Sequence, residues 1–319
     1  MTIGFAACRR AAITAVFIGP LLHAPMALAE TLKIGISALD DISHVNLQAA
    51  IAAGTFKKRG LDVELTVFKG GSPAQEALAA GEVGIVSASP PGVVAALNRG
   101  AGQICVGAIR HNASAWYLLT SAASPVTKLE DLAGKKIAIV AKGGTTDFYA
   151  NWAIQKVGIK ADFIPLGTQP TMAAALKSGQ VEAAVMFNAF ANNLITSGQA
   201  RVLIDYGKEL PKHMPACYAS NQAFIKTGGP TLEKFWGGWI EAARKFHADK
   251  AWAMDFLKSF YKESDPKVLD FMYETSLRYT EGDPRTDAAE MEATIKMAGV
   301  ELKKPMAELF TNAFIPEMK

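Results

Sequence analysis

Gly60-Leu61-Asp62, followed by Leu78-Ala-Ala-Gly81-Glu-Val83, returns 98 residues later as Gly158-Ile159-Lys160 and Leu176-Lys-Ser-Gly179-Gln-Val181. Between these markers, Gly70-Gly-Ser-Pro73 is echoed by Gly167-Thr-Gln-Pro170 with a slip of one residue. Each copy has a glycine where a helix stops and apolar residues where a strand begins. That grammar is common to βαβ units, but a fixed offset shared by several positions points to two lobes built on one plan. Two such lobes enclose a cleft, and clefts between lobes take small molecules.

Outward from the repeat, strands alternate with helices of about ten residues, the pattern of an α/β fold with a mostly parallel sheet. In the first lobe, Leu32–Ser37, Val63–Val67, Val83–Val86 and Gln103–Ile109 read as strands. The second lobe repeats them at Lys136–Val140, Asp162–Pro165, Ala183–Phe187 and Arg201–Ile204. Two extended apolar segments, Trp116–Thr120 and Ala216–Ser220, are placed to cross between the lobes as hinge strands. After Gly228-Gly229-Pro230 the pattern turns helical from Thr231 onward, with Trp236, Trp239 and Trp252 at core-packing positions, and this tail is expected on the first lobe. The expected division is a leader at 1–29, the first lobe at 30–115 and 221–319, and the second lobe at 116–220.

The leader is read from Arg9-Arg10, an apolar run over Ala11–Leu22, and Ala27-Leu-Ala29 as a small-x-small cleavage site before Glu30. This is the layout of a cleaved secretory signal peptide, too short and wrongly flanked for a membrane span. Without Arg9 and Arg10, the 33 basic residues nearly balance the 30 acidic ones, so no electrostatic footprint for nucleic acid or an anionic membrane remains. Cys105 sits in the apolar run Ile104–Ile109, and Cys105 and Cys217 are expected as buried free thiols rather than a disulfide.

Ligands of open α/β sheets bind beyond the carboxyl ends of the strands. In the first lobe those loops carry Asp40, Asp41, Ser43 and His44, then Gly71 and Ser72, then Ser87 and Ser89. In the second they carry Gly144, Thr145 and Thr146, then Phe187 and Asn188. Three of the five place glycine, serine or threonine directly before a helix, where free backbone N–H groups and hydroxyls suit an anion. His111 ends a first-lobe strand and is placed at the cleft or in solvent. No P-loop spacing is present. Asp40, Asp41 and His44 lack a supporting fourth ligand for a metal, and no cofactor or catalytic set is expected. One of the two aspartates is expected to accept from an amine or hydroxyl of the ligand. The loops themselves carry no arginine, with Arg110 and Lys142 at their edges.

These loops, with Gly60-Leu-Asp-Val-Glu-Leu65, Ala77-Leu-Ala-Ala-Gly-Glu-Val83, Ser89-Pro90, Leu129-Glu-Asp-Leu-Ala-Gly-Lys-Lys136, Gly143-Gly-Thr-Thr146 and Gly179-Gln-Val-Glu-Ala-Ala184, resemble the nitrate/sulfonate/taurine-type solute-binding proteins of bacterial ABC importers. The resemblance spans nearly the whole mature chain. It implies a two-lobed type II periplasmic-binding-protein fold with hinge strands and C-terminal helices on the first lobe. It also implies a periplasmic monomer that closes on a small organic anion and presents it to an inner-membrane ABC permease. By position, the family's ligand loops fall on Asp40–Ser43, Gly71-Ser72, Ser89, Thr145-Thr146 and Phe187-Asn188. Where members often carry tryptophan-x-proline, this chain has Phe187-Asn-Ala189, so its ligand need not be a simple sulfonate. The rival readings are an enzyme on the same fold, for which a general acid and base are wanting, and a sensor docking on a membrane receptor, which a co-purifying partner would reveal.

Overall fold

Both copies of the repeated stretch stop a helix on a glycine in the left-handed region. The chain is described by a computed structural model at Met1 and residues 30–317, other than 38, 40 and 281. In it Gly81 (φ 75°) donates its N–H to the carbonyls of Ala77 and Leu78, and Gly179 (φ 73°) donates to those of Ala175 and Leu176. A β-carbon is strained at such φ, so glycine is the natural stop. Gly60 and Gly158, both at φ 67°, turn the chain into the following strands in the same way. Apart from Met1, the expected leader lies outside the described residues, as does Asp40.

In chain order the strands are β1 (Glu30–Ile36), β2 (Leu61–Val67), β3 (Ile85–Ala88), β4 (Gln103–Arg110), β5 (Trp116–Ser121), β6 (Lys136–Ile139), β7 (Asp162–Pro165), β8 (Ala183–Phe187), β9 (Ala200–Asp205) and β10 (Ala216–Asn221). The helices are α1 (Val45–Ala53), α2 (Gly71–Ala80), α3 (Pro90–Asn98), α4 (Thr145–Lys156), α5 (Gln169–Ser178), α6 (Asn188–Thr196), α7 (Tyr206–Glu209), α8 (Gln222–Ala248), α9 (Lys250–Tyr261), α10 (Pro266–Thr280) and α11 (Ala288–Ala298). No described helix is long and apolar enough to cross a membrane.

The strands form two five-stranded sheets, ordered β2-β1-β3-β10-β4 and β7-β6-β8-β5-β9. They match position by position. In each, three strands run parallel, and the fourth, β10 or β5, is antiparallel to both its neighbours. That fourth strand is in each case the first one after the chain has passed from one sheet to the other. The central strands β8 and β10, and the edge strand β4, are buried almost throughout, which is why they read as largely apolar runs.

Three expectations are corrected here. The segments at Trp116 and Ala216 do not cross between lobes: β5 lies wholly in the second sheet and β10 wholly in the first, so residues 111–115 and 206–215 make the crossings. Cys105 and Cys217 are not free thiols. They form a disulfide, because β10 returns beside β4 and sets their Cα atoms 5.8 Å apart, within the usual span of a bridge.

The long helix α8 begins not after Pro230 but at Gln222, and it runs through Gly228-Gly229-Pro230. Asn221 caps it by accepting from the Phe224 N–H at 2.7 Å, and the Phe224 ring occupies the space a β-carbon on Gly228 would need. The lost proline hydrogen bond is offset by burial of Leu232, Phe235, Trp236, Trp239 and Phe246 in the first-lobe core. The helical tail packs on the first lobe as expected, its apolar side chains joining that lobe's core, and it also touches the second: α10 packs on α6, and α11 lies on both α3 and α4.

Candidate functional site

Because β1 to β4 are parallel, their carboxyl ends share one edge of the first sheet. The carboxyl ends of β6, β7 and β8 and the start of β5 share the facing edge of the second. Between the two edges lies a cavity of about 530 Å³. Of the residues expected there, Asp41, Ser43, Gly71, Ser87, Ser89, Gly144, Thr145, Thr146 and Phe187 line it.

The lobes meet around the cavity. Ser72 Oγ donates to the Lys142 carbonyl at 2.6 Å, and Ser89 Oγ to the Gly143 carbonyl at 3.0 Å. Gly70 (φ 104°) comes so near the second lobe that a β-carbon on it would fall 2.5 Å from that of Ala141. Asp41 Oδ1 accepts from the Ser43 N–H at 2.9 Å and from the Asn188 amide at 2.7 Å. Asn188, in the left-handed region at φ 57°, accepts in turn from the Tyr279 hydroxyl at 2.6 Å. Burial raises the Tyr279 pKa, so this hydroxyl stays a neutral donor. Gly71, Pro90 and Thr145 open α2, α3 and α4 at the cavity, and no side chain caps any of the three helices.

Four expected contacts lie elsewhere. Asn188 and Ser72 are spent on the interlobe bonds just described. His44 is buried beneath the cleft against Tyr218, its ring centroid 6.2 Å away, and burial lowers its pKa, keeping it neutral. His111 faces away. Its Nδ1 meets Glu290 Oε2 at 2.5 Å and its Nε2 meets the Asp283 carbonyl at 2.9 Å, while Lys212 Nζ pairs with Glu290 Oε1 at 2.9 Å. Burial alone would lower the His111 pKa, but the bond to Glu290, that carboxylate's charge and the Asp283 carbonyl together raise it.

The largest revision concerns Arg110, read from sequence as a residue at the edge of the loops. It lines the cavity, only 1% of it is exposed, and neither Nε nor Nη1 has a hydrogen-bond partner among the described residues. Its guanidinium lies 4.0 Å over the Trp116 ring, which stacks on Phe187 at 4.4 Å. Ser43 and Trp116, which line the same cavity, lie beside the Tyr279 hydroxyl, and both act to lower its pKa against the effect of burial. Buried polar groups are nearly always satisfied, so a buried guanidinium with two nitrogens lacking an acceptor among the described residues is unusual. The sequence signal was a basic residue closing an apolar strand at its carboxyl end, where ligands bind in such sheets. Trp116 was missed because its segment was read as a crossing rather than as a strand start. Among the described residues no group of three or more metal-ligating side chains is placed to hold a metal ion.

The profile of the NMT1/THI5-like family matches residues 41–249. No curated protein sequence matches the chain. Among solved structures, a protein of Bordetella bronchiseptica RB50 is 24% identical, with a TM-score of 0.78 over 89% of this chain and 95% of that one. The alkanesulfonate-binding protein SsuA from Xanthomonas axonopodis pv. citri, bound to MOPS, is 21% identical, with a TM-score of 0.69 over 88% and 98%. A Candida albicans protein described as having the generic periplasmic binding protein fold is 14% identical, with a TM-score of 0.73 over 91% and 98%. The chain therefore belongs to the NMT1/THI5-like family and has the periplasmic-binding-protein fold.

Proposed function

We propose that this protein is the periplasmic solute-binding component of an ABC importer, closing its two lobes on a small organic anion and passing it to a membrane permease. The observation that carries the reading is Arg110, a buried guanidinium with unpartnered nitrogens on the wall of an interlobe cavity. The likeness to an alkanesulfonate-binding protein supports an anionic solute. Binding rather than catalysis fits a cavity wall whose described residues include one carboxylate, Asp41, and no histidine.

The cycle follows from the contacts. In the open protein Arg110 and Asp41 stand on the first lobe, while Trp116, Phe187 and Asn188 stand on the second. An anion supplies the acceptor that Arg110 lacks. Closure then places the guanidinium over Trp116 and joins Asn188 to Asp41 and Tyr279. The solute shifts the population because it contacts both lobes only in the closed state. The rotation falls on residues 111–115 and 206–215, the connections between the sheets. Titration calorimetry of nitrate, methanesulfonate and benzoate against the protein and an Arg110→Met variant tests this. Saturable binding of at least one anion, lost in the variant, is expected. Absence of binding, or equal binding by both proteins, overturns the reading.

A further inference from the structure

We propose that Glu290, which lies outside the cavity, is a positioning residue for lobe closure: its carboxylate spans the two pivots on which the lobes turn, and so sets how tightly a solute is held. This rests on the lobe-closure reading above and adds a residue that acts through the hinge rather than on the solute.

The bonds along each connection between the lobes locate the pivots. On the first, the His111 N–H donates to the Tyr279 carbonyl at 2.7 Å and the Asn112 amide donates to the Arg278 carbonyl, so both residues are fixed to α10. Tyr279 belongs to the first-lobe core, whereas Ala113, the next residue along the connection, is buried in the second-lobe core. On the second connection, His213 Nε2 meets the hydroxyl of Tyr149, on α4 of the second lobe, at 3.1 Å. Its neighbour Met214 is buried in the first-lobe core, and its N–H and carbonyl each bond Thr294 Oγ1 of α11 at 3.0 Å. Attachment thus changes lobe between Asn112 and Ala113, and again between His213 and Met214. Rotation concentrates at the few residues where packed attachments change over. The second-lobe parts of the two connections travel together: a β-carbon on Gly207 would fall 3.0 Å from Ser114 Cα and 3.2 Å from the Ala113 carbonyl oxygen.

Glu290 reaches across both pivots. It opens a turn of α11 whose Met291 and Ile295 lie in the first-lobe core. Its Oε2 meets His111, on the first-lobe side of one pivot, and its Oε1 pairs with Lys212 Nζ at 2.9 Å, on the second-lobe side of the other. One carboxylate therefore ties the two sides of the axis. The tie is made while Ser72, Ser89 and Asn188 make their bonds between the lobes. Opening turns Lys212 away from α11 and breaks it, so the tie favours the closed arrangement and raises solute affinity by the same factor. The Lys212 side chain is 67% exposed, which makes the pair a bias on closure and not a support of the fold.

Titration calorimetry of nitrate, methanesulfonate and benzoate against the full chain and its Lys212→Met, Lys212→Arg, Glu290→Gln and Lys208→Met variants tests this. Lys208 is the control, since it pairs with Asp205 wholly within the second lobe. Lys212→Met is expected to bind about two- to fivefold more weakly, the worth of an exposed ion pair, with a melting point within about 3 °C of the unaltered protein's. Glu290→Gln weakens binding at least as much, whereas Lys212→Arg and Lys208→Met keep the full affinity. An unchanged affinity in Lys212→Met, or the same loss in Lys208→Met, overturns the inference and leaves anion binding standing. If none of the three anions binds the unaltered protein, the proposed function falls, and small-angle scattering of the anion-free proteins decides this inference by itself. A larger radius of gyration in Lys212→Met than in the unaltered protein and Lys208→Met upholds it, and equal radii overturn it.

Discussion

Arg110→Met separates a binding residue from a structural one, because the two roles predict opposite signs of stability change. With the lobes as the structure holds them, the guanidinium is buried and its Nε and Nη1 have no hydrogen-bond partner among the described residues. Each such group costs about 1–3 kcal/mol. The Trp116 ring 4.0 Å away returns about 2 kcal/mol as a desolvated cation–π contact. Methionine is of similar length, apolar and adaptable, so it keeps most of the packing without the desolvated charge. Without added anion the variant should therefore be more stable by up to about 4 kcal/mol. For a chain of this size that is a rise in Tm of up to about 8 °C. Anion binding should vanish at the same time. The assay is differential scanning calorimetry of ligand-free protein, with each variant then titrated with an anion that the unaltered protein binds. A melting point more than about 4 °C below that of the unaltered protein would refute the reasoning and make Arg110 a structural residue.

Asn188→Gly keeps the left-handed backbone but removes the amide that joins Asp41 to Tyr279, so ligand-induced compaction by small-angle scattering should shrink and affinity should fall about 10- to 100-fold. Asn188→Ala should add a stability loss of about 1–2 kcal/mol, since alanine is strained at that φ, and equal melting of the two variants would contradict this. Reducing the Cys105–Cys217 bridge, which spans 112 residues of sequence, should cost about 4–5 kcal/mol in urea unfolding on the chain-entropy account. His111 has a folded pKa above its ordinary value of 6.5, so the stability it adds is fully present below about 6.5 and is lost as pH rises through the folded pKa. Thermal melts from pH 5.5 to 9 should show that decline, and His111→Gln should flatten it.

The fold was legible where local chemistry sets structure. The paired glycine stops at 81 and 179 and the apolar runs that follow them need only neighbours in sequence, so the two α/β units could be read directly. What escaped depends on partners far away. The bridge of Cys105 to Cys217 exists because β10 returns beside β4, and no spacing rule announces that return. Proline and two glycines at 228–230 looked like a break, but tertiary burial of Phe235, Trp236 and Trp239 carries α8 through them. The cavity loops were found by the rule for strand ends. Arg110 was undervalued because only the closed arrangement shows a guanidinium held beneath Trp116 without acceptors. His111, also at a strand end, turned instead to Glu290 on a helix that its own segment gives no means of locating.

The bridge between β4 and β10 joins the strand that leaves for the second sheet to the strand that comes back from it. The whole second lobe is thus a loop of chain tied shut at its neck by a covalent bond. Cutting that loop at any exposed point, or melting the second lobe alone, cannot release it from the first. A single proteolytic nick between β5 and β9 should leave one species on a non-reducing gel and two once the bridge is reduced. Both connections on which the lobes turn are rooted beside one pinned pair of strands, so the second lobe swings as a door does, from adjacent fixings on one frame.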